Sequence, residues 1–288
     1  MLINKTETEA IMHPLVNIGI QAARKAGQIM LRSMDQLHAL KIQQKGFNDF
    51  VTNIDVACEQ MIIEIIRKAY PSHDILGEES GLSEPSYKVN NPHVDQVTWI
   101  IDPLDGTTNY MHGLPQFCIS IGIMIKNRIE HAIIYDPHHD ELFTASHGCG
   151  AQLNEKRIRV SPETPLERTL IGTGIPFRRT EESEEFNDRL DIYLQLLKRL
   201  APQVAGIRRG GSAALDLAYV AAGRLDGFFE QELKIWDIAA GSLLIKEAGG
   251  YITDYQGQDN YLETCDVVCG QIKTHKALLE IVQSIYSK

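Results

Sequence analysis

From Trp99 to Ala145 the chain is a succession of apolar, strand-like runs separated by short polar stretches, and no other feature constrains its fold as strongly. The runs are Trp99–Ile101, Phe117–Ile125, Ile129–Tyr135 and Glu141–Ala145, with Asn127-Arg128 and Pro137–Asp140 between them as turns. Turns this short join neighbouring antiparallel strands, so the segment predicts a β-meander. Two helices precede it. His13–Met34 places Leu15, Ile18, Ala22, Ala26, Ile29 and Met30 at helical spacing. Thr52–Tyr70 places Ile54, Ala57, Met61, Ile65 and Ala69 on one face; Thr52–Asp55 resembles a capping box, and Pro71 stops the helix.

After Arg159 the rhythm changes. Strands are expected at Leu170–Thr173, Val204–Ile207, Leu225–Glu230 and Asp266–Cys269. Helices are expected at Glu181–Leu200, Ser212–Ala222, Asp237–Ala248 and His275–Ile285, with Gly223 and Gly249-Gly250 as helix stops. This alternation predicts α/β layering. The expected organisation is an α+β part over residues 12–160 and an α/β part over 161–288, in one body with the site between them. The polar residues 1–11 read as a disordered extension.

Composition excludes several classes. The 288 residues suffice for a large core, and 43% hydrophobic with 23% charged residues is ordinary for a globular protein. Thirty-eight acidic against 28 basic residues leave a net charge of −10, which argues against a dedicated nucleic-acid binder. Five scattered cysteines make no disulfide framework, and each is expected as a small buried hydrophobe. The N-terminal residues lack the pattern of a secretory signal, and Phe117–Ile125 is half the length of a membrane span. The expectation is a soluble, cytoplasmic protein with no membrane partner.

Three segments carry chemistry: Ile75–Ser80 (Ile-Leu-Gly-Glu-Glu-Ser), Trp99–Tyr110 (Trp-Ile-Ile-Asp-Pro-Leu-Asp-Gly-Thr-Thr-Asn-Tyr) and Trp236–Gly241 (Trp-Asp-Ile-Ala-Ala-Gly). In the second, an apolar strand is expected to end at Asp102 because Pro103 cannot continue it. Asp102 and Asp105, with the Leu104 carbonyl between them, can then aim hard oxygen ligands at one place. The Gly106 and Thr107 amides at a helix start can face an anion. An Asx turn followed by an N-cap explains this segment equally well when it is taken alone. Taken alone, Glu78-Glu79 is a pair of solvated loop acids, and Asp237 and Asp55 are favourable residues in first helical turns.

In this order and spacing the three segments resemble those of the inositol monophosphatase family, magnesium-dependent and lithium-sensitive phosphatases of sugar and polyol phosphates. The likeness runs from Met12 to the last helix. It is nearest to a bacterial branch, through His13-Pro14, Lys45-Gly46, Asn48–Asn53, Gly211–Gly223 and Asp226–Glu230. The resemblance implies a layered α-β-α-β-α sandwich, and Mg²⁺, two or three ions per site, held by Glu78, Asp102, the Leu104 carbonyl, Asp105 and Asp237. It implies catalytic roles for Glu78 and for Thr107, which is held by Asp55 and orients and deprotonates the attacking water. Asp105, Gly106, Thr107, Gly211, Ser212, Ala213 and Glu230 are implied to bind the substrate, a small phosphorylated polyol. Lys45 is the candidate for a further family lysine, in a loop one residue shorter than in animal members.

The chemistry is coherent with that set. Clustered carboxylates repel unless a cation lies among them, and Mg²⁺ still needs water and substrate phosphate to complete its octahedron. Two ions about 4 Å apart can act on both sides of an in-line displacement. No Ser-His or Cys-His nucleophile suggests a covalent intermediate. His138–Glu141 reads as a solvated turn, and Arg178-Arg179 and Arg208-Arg209 as solvated faces or a phosphate- or RNA-contacting patch. Family relatives hydrolyse 3′-phosphoadenosine phosphate, fructose bisphosphate or histidinol phosphate; those acting on the nucleotide carry Lys where this chain has Thr108. The resemblance further implies a homodimer and, for the bacterial branch, a part in ribosomal RNA transcription through RNA polymerase and antitermination factors.

Overall fold

The amphipathic pattern near the start of the chain is realised as two helices lying side by side in a computed structural model that describes residues 13–34, 42–46, 49–83, 96–176 and 183–286. The expected extension at 1–11 and the pair Arg178-Arg179 lie outside these residues, as does the side chain of Lys45. Helix α1 (Pro14–Met34) buries Leu15, Val16, Ala22, Ala23, Ala26 and Met30. A short antiparallel hairpin, β1 (Ile42–Gly46) and β2 (Asp49–Thr52), leads into α2 (Asn53–Ala69). The capping box at the start of α2 is present: Thr52 and Asp55 satisfy each other's exposed backbone groups.

Both helices pack on one face of an eight-stranded sheet. Its strands are β3 (Asp74–Gly77), β4 (Gly81–Ser83), β5 (Val97–Asp105), β6 (Cys118–Ile125), β7 (Arg128–Asp136), β8 (Glu141–Ser146), β9 (Gly150–Leu153) and β10 (Lys156–Arg157), in the order β10-β9-β8-β7-β6-β5-β3-β4. From β5 to β10 every neighbour is antiparallel, as the meander predicts, and β3 adds on parallel to β5. A short helix, α3 (Thr107–Met111), follows β5.

The second half begins with β11 (Leu170–Thr173), α4 (Ser183–Leu200), β12 (Gly206–Arg208), α5 (Ala213–Ala221), β13 (Gly227–Glu230) and α6 (Ile235–Glu247). It ends with β14 (Tyr251–Thr253), α7 (Tyr261–Thr264), β15 (Val267–Gly270) and α8 (Ile272–Tyr286). A five-stranded sheet has the order β12-β11-β13-β15-β14, with β11 parallel to both its neighbours and β15 antiparallel to both of its own.

Three apolar cores cement the layers. The first joins α1 and α2 to Trp99, Ile101, Ile121 and Ile133 of the large sheet. The second surrounds α5 and α6, which lie between the sheets. The third packs Tyr193, Leu196 and Leu200 of α4 and Leu278, Ile281 and Val282 of α8 on Ile171, Phe229 and Val268. The result is the expected α-β-α-β-α stack. Residues 237–245 of α6 are all buried, which is why that helix shows no polar face in sequence.

The structure corrects several expectations. Strand β5 continues through Pro103 to Asp105, because a bulge absorbs the residue that cannot donate to the ladder: Asp102 faces Ser120, whereas Asp105 faces Cys118. The hairpin β1–β2 and the short β4, β9, β10, β14 and α7 carry too little periodicity to be read from sequence. Strand β12 begins at Gly206, α6 at Ile235 and α8 at Ile272, two to three residues from their expected starts. Cys58, Cys118 and Cys269 are buried, but Cys149 is exposed and Cys265 half-buried. No described helix is long and apolar enough to cross a membrane.

Leu244, fully buried mid-α6, tests the central layer. Leu244→Ala should destabilise the fold by about 2–5 kcal/mol, read as a lower urea midpoint with an unchanged m-value.

Candidate active site

The bulge in β5 decides the geometry of the site. On a regular strand, residues three apart point to opposite faces, because side chains alternate. The additional residue between Asp102 and Asp105 shifts that alternation by one and turns both carboxylates to the same place. Asp237, in the first turn of α6, joins them: ligand oxygens of Asp102, Asp105 and Asp237 all lie within 4.8 Å of one another. Ser120 Oγ of β6 donates to the Trp236 carbonyl (3.1 Å), which pins the start of α6 to the large sheet.

Each acid is anchored through one of its oxygens. Asp102 Oδ1 accepts from the Leu104 amide (3.0 Å), and Asp237 Oδ2 from the Lys234 amide (2.7 Å). Asp105 Oδ2 accepts from Ser212 Oγ and the Ala214 amide, both at 2.7 Å, so it caps the start of α5 from across the layers. Asp55 Oδ2 accepts from the Thr52 amide (2.8 Å) and hydroxyl (2.5 Å), while Oδ1 accepts from Thr107 Oγ1 (2.9 Å). Asp55 thus makes the capping hydrogen bond with one oxygen and the hydrogen bond to Thr107 with the other.

Thr107 Oγ1 is also 3.1 Å from the Leu104 carbonyl. Its single hydrogen serves one of these two acceptors, and its lone pairs remain to accept from a water. Gly106, at φ +97°, forms the corner between β5 and α3; a Cβ there would come within 2.8 Å of the Gln116 carbonyl.

These groups line a cavity of about 190 Å³ shared with Glu78, Thr108, Ile175, Pro176, Gly211, Ser212, Ala213, Glu230 and Arg209. Arg209 is the one cation among the described residues that line it. The electrostatics are those of a site built for a positive guest. Burial, then Glu78, Asp105 and Asp237, push Asp102 well above the usual carboxylate range. Burial and Asp237 raise Asp105 to about 7, against the Ser212 and Ala214 hydrogen bonds. Glu230 is raised by burial, then by Asp216, Asp237 and Asp105. Hard oxygen donors that are crowded, buried and mutually repelling fit a divalent cation of the Mg²⁺ kind.

The site residues anticipated from sequence border this cavity, except Lys45, whose side chain lies outside the described residues, and Asp55, which stands behind Thr107 and reaches the cavity through it. Glu78 lines the cavity, though its carboxylate falls outside the tight three-acid group. Four supporting residues escaped the sequence reading. Asn109 Nδ2 ties the Gly210 carbonyl (2.9 Å) to that of Gln116 (2.7 Å). Asp216, buried in α5 and raised to about 8 by burial and then Asp105, takes a hydrogen bond from the Gly210 amide. Arg209, for which sequence offers a solvated face or a phosphate- or RNA-contacting patch, lines the cavity. Glu59, one helical turn after Asp55, is buried beneath the Glu78 turn. A lone acid inside an otherwise apolar helix was the available signal for Asp216; Glu59, one of several acids on α2, carried none.

The layered fold is that of the inositol monophosphatase and fructose-bisphosphatase type of solved structures. A family model described as the inositol monophosphatase family matches residues 11–287, and the chain belongs to that family. The bacterial branch suggested by sequence is represented among its relatives. The protein named Nus factor SuhB in Pseudomonas aeruginosa is 48% identical over 272 residues, 94% of this chain and 97% of that protein. Its namesake in Escherichia coli K12 is 48% identical over 269 residues, 93% and 95% of the two chains. Among solved structures, the extragenic suppressor protein suhB of Bartonella henselae superposes with a TM-score of 0.86 at 39% identity, covering 94% of this chain and 99% of that one. The inositol monophosphatase of Anabaena gives 0.77 at 36% identity, covering 94% and 96%.

The raised carboxylates make metal binding a proton-releasing event. A carboxylate whose pKa is raised by folding favours the folded state when protonated, so the contribution of Asp105 to stability falls as pH rises from about 4 through about 7. A cation bound there would displace the proton that Asp105 holds in that range. Calorimetric Mg²⁺ titrations in buffers of different ionisation enthalpy should show proton release at pH 6 that declines as pH rises beyond 7. Acidification below pH 6 should weaken the binding.

Proposed function

We propose that the chain is a Mg²⁺-dependent phosphomonoesterase that hydrolyses inositol monophosphate and related small alcohol phosphates. The observation that carries this reading is the buried cluster Asp102–Asp105–Asp237 beside the Thr107–Asp55 pair. Glu78, Asp102, the Leu104 carbonyl, Asp105 and Asp237 would hold the metal, two or three ions in the family's pattern. When bound, Mg²⁺ supplies charge to lower the pKa of a nucleophilic water and to offset the negative charge of the phosphate and the departing alkoxide.

The chain's own groups do the rest. Thr107 Oγ1 accepts a hydrogen bond from the attacking water, and as the water loses its proton the hydroxyl passes its own to Asp55 Oδ1. Burial raises the pKa of Asp55, which makes it a better proton acceptor than a solvated carboxylate. Gly106 and Thr107 present main-chain N–H groups at the corner before α3, where phosphate oxygens would sit. Glu230 accepts from hydroxyls of the polyol, with Gly211, Ser212 and Ala213 forming the adjacent wall. Glu78 completes the catalytic set with Thr107 and Asp55.

Asp102→Asn should abolish Mg²⁺-dependent release of phosphate while circular dichroism shows an intact fold; retained turnover would sink the assignment. Thr107→Ala should lower kcat by about 10²–10⁴. A panel of inositol monophosphate, histidinol phosphate and fructose bisphosphate, compared by kcat/KM, should favour the first; a preference for either of the others would redirect the substrate assignment within the same chemistry.

A second reading is favoured by the name Nus factor carried by relatives at 48% identity. In it the chain, as a cytoplasmic homodimer, also joins RNA polymerase and antitermination factors. Affinity capture from extract of the source cell should then retain RNA polymerase subunits with wild-type protein and with Asp102→Asn alike; capture of neither would count against it.

A further inference from the structure

We propose that Glu59 is the positioning residue for Glu78, holding the turn that carries it in the shape that binds metal; the inference rests on the reading of Glu78 as a metal ligand. Glu59 lies on α2 one turn beyond Asp55 and is 3% exposed. Its two oxygens are divided between successive amides of the turn linking β3 to β4: Oε2 accepts from Glu79 N (2.9 Å) and Oε1 from Ser80 N (2.8 Å). The Glu78 amide donates to the Ile101 carbonyl of β5 (3.1 Å). Three consecutive N–H groups of this turn are therefore fixed, one by the sheet and two by a single carboxylate.

The surroundings say why a charged acceptor is needed. Among the described residues strand β4 is the edge of the large sheet, and no described strand lies beyond it to restrain the turn. Ser80 is exposed and Glu78 and Glu79 are half-buried, so packing alone holds the turn weakly. Charge-assisted hydrogen bonds to main-chain amides are shorter and stronger than neutral ones and fix direction as well as distance. The fit is close. A Cβ on Gly77 would fall 2.4 Å from Glu59 Oε2, so the carboxylate lies directly against the main chain that precedes Glu78.

The far end of the same hairpin is held from the same helix. Arg67 Nη1 donates to the His73 carbonyl (2.5 Å), and Nη2 donates to the Ser83 carbonyl (2.9 Å). Helix α2 thus sets Thr107 through Asp55, the Glu78 turn through Glu59 and the base of the hairpin through Arg67, all from one rigid element. Partners that orient a metal ligand tune the affinity of the site for its ion.

The test is a double-mutant cycle on the full chain, read by calorimetric Mg²⁺ binding and by Mn²⁺ binding in electron paramagnetic resonance, with kinetics alongside. Glu59→Gln keeps the shape but turns an NH₂ group toward an amide N–H. It should weaken metal binding by about 10-fold, with kcat at saturating Mg²⁺ held within about threefold. In a Glu78→Gln background the same change should add less than about twofold, because the ligand it orients is already impaired. Gly77→Ala, which pushes the carboxylate from the opposite side, should reproduce the loss of affinity if Glu59→Gln does not fold. Unchanged metal affinity in either folded variant, additive losses in the cycle, or failure of both variants to fold would overturn the proposal and leave Glu59 a stability residue. If Glu78→Gln alone leaves metal binding intact, the ligand reading itself fails, and that outcome is distinct from the others.

Discussion

Bringing like charges together in a buried place is the constraint on which the rest of this structure depends. Asp102, Asp105 and Asp237 converge to within 4.8 Å, and Glu78 adds to the potential that raises Asp102. Left alone, such a group would protonate, scatter or admit water. The fold prevents scattering by a single device used repeatedly: each acid gives one oxygen to a main-chain N–H. Orientation is thereby fixed by backbone, which cannot change rotamer, and the capacity of the carboxylate for a cation is not exhausted.

Those backbone anchors come from different layers, which explains why so large a scaffold serves so small a site. Asp105 belongs to the large sheet, yet its anchor is the start of α5 in the layer beyond. Asp237 belongs to α6, whose start is held by Ser120 of the large sheet. The three apolar cores hold these elements in register, and the buried small residues Ala213, Ala214, Ala218, Ala239 and Ala240 suit α5 and α6 to close packing between two sheets. Packing of the central layer and geometry of the site are the same problem seen at two scales.

Much of this was legible in residue order. Long periodic elements such as α1, α2, β6 and β7 declared themselves, because burial on one face imposes a period that composition cannot imitate. The three acidic segments were conspicuous once taken together. What escaped is what depends on partners distant in sequence. Pro103 reads as a strand end, and only the pairing of β5 with β6 reveals a bulge. Asn109 and Asp216 look ordinary until the Gly210 loop is placed against them. Glu59 looks like one more helix acid, because its role is defined by a turn twenty residues further along.

The bulge at Pro103 also bears on how chains of this kind can change over time. Two carboxylates three residues apart share a side only through the one surplus residue that the bulge absorbs. Loss of a single residue would restore the regular pleat and leave the acids two apart, still on one face but without the bend and added twist that the bulge gives the strand. Substitutions within the interval are tolerable if a bulge survives, whereas one inserted residue beside the same bulge would turn one acid toward the opposite face. The interval therefore accommodates a change of residue identity more readily than the gain of a residue.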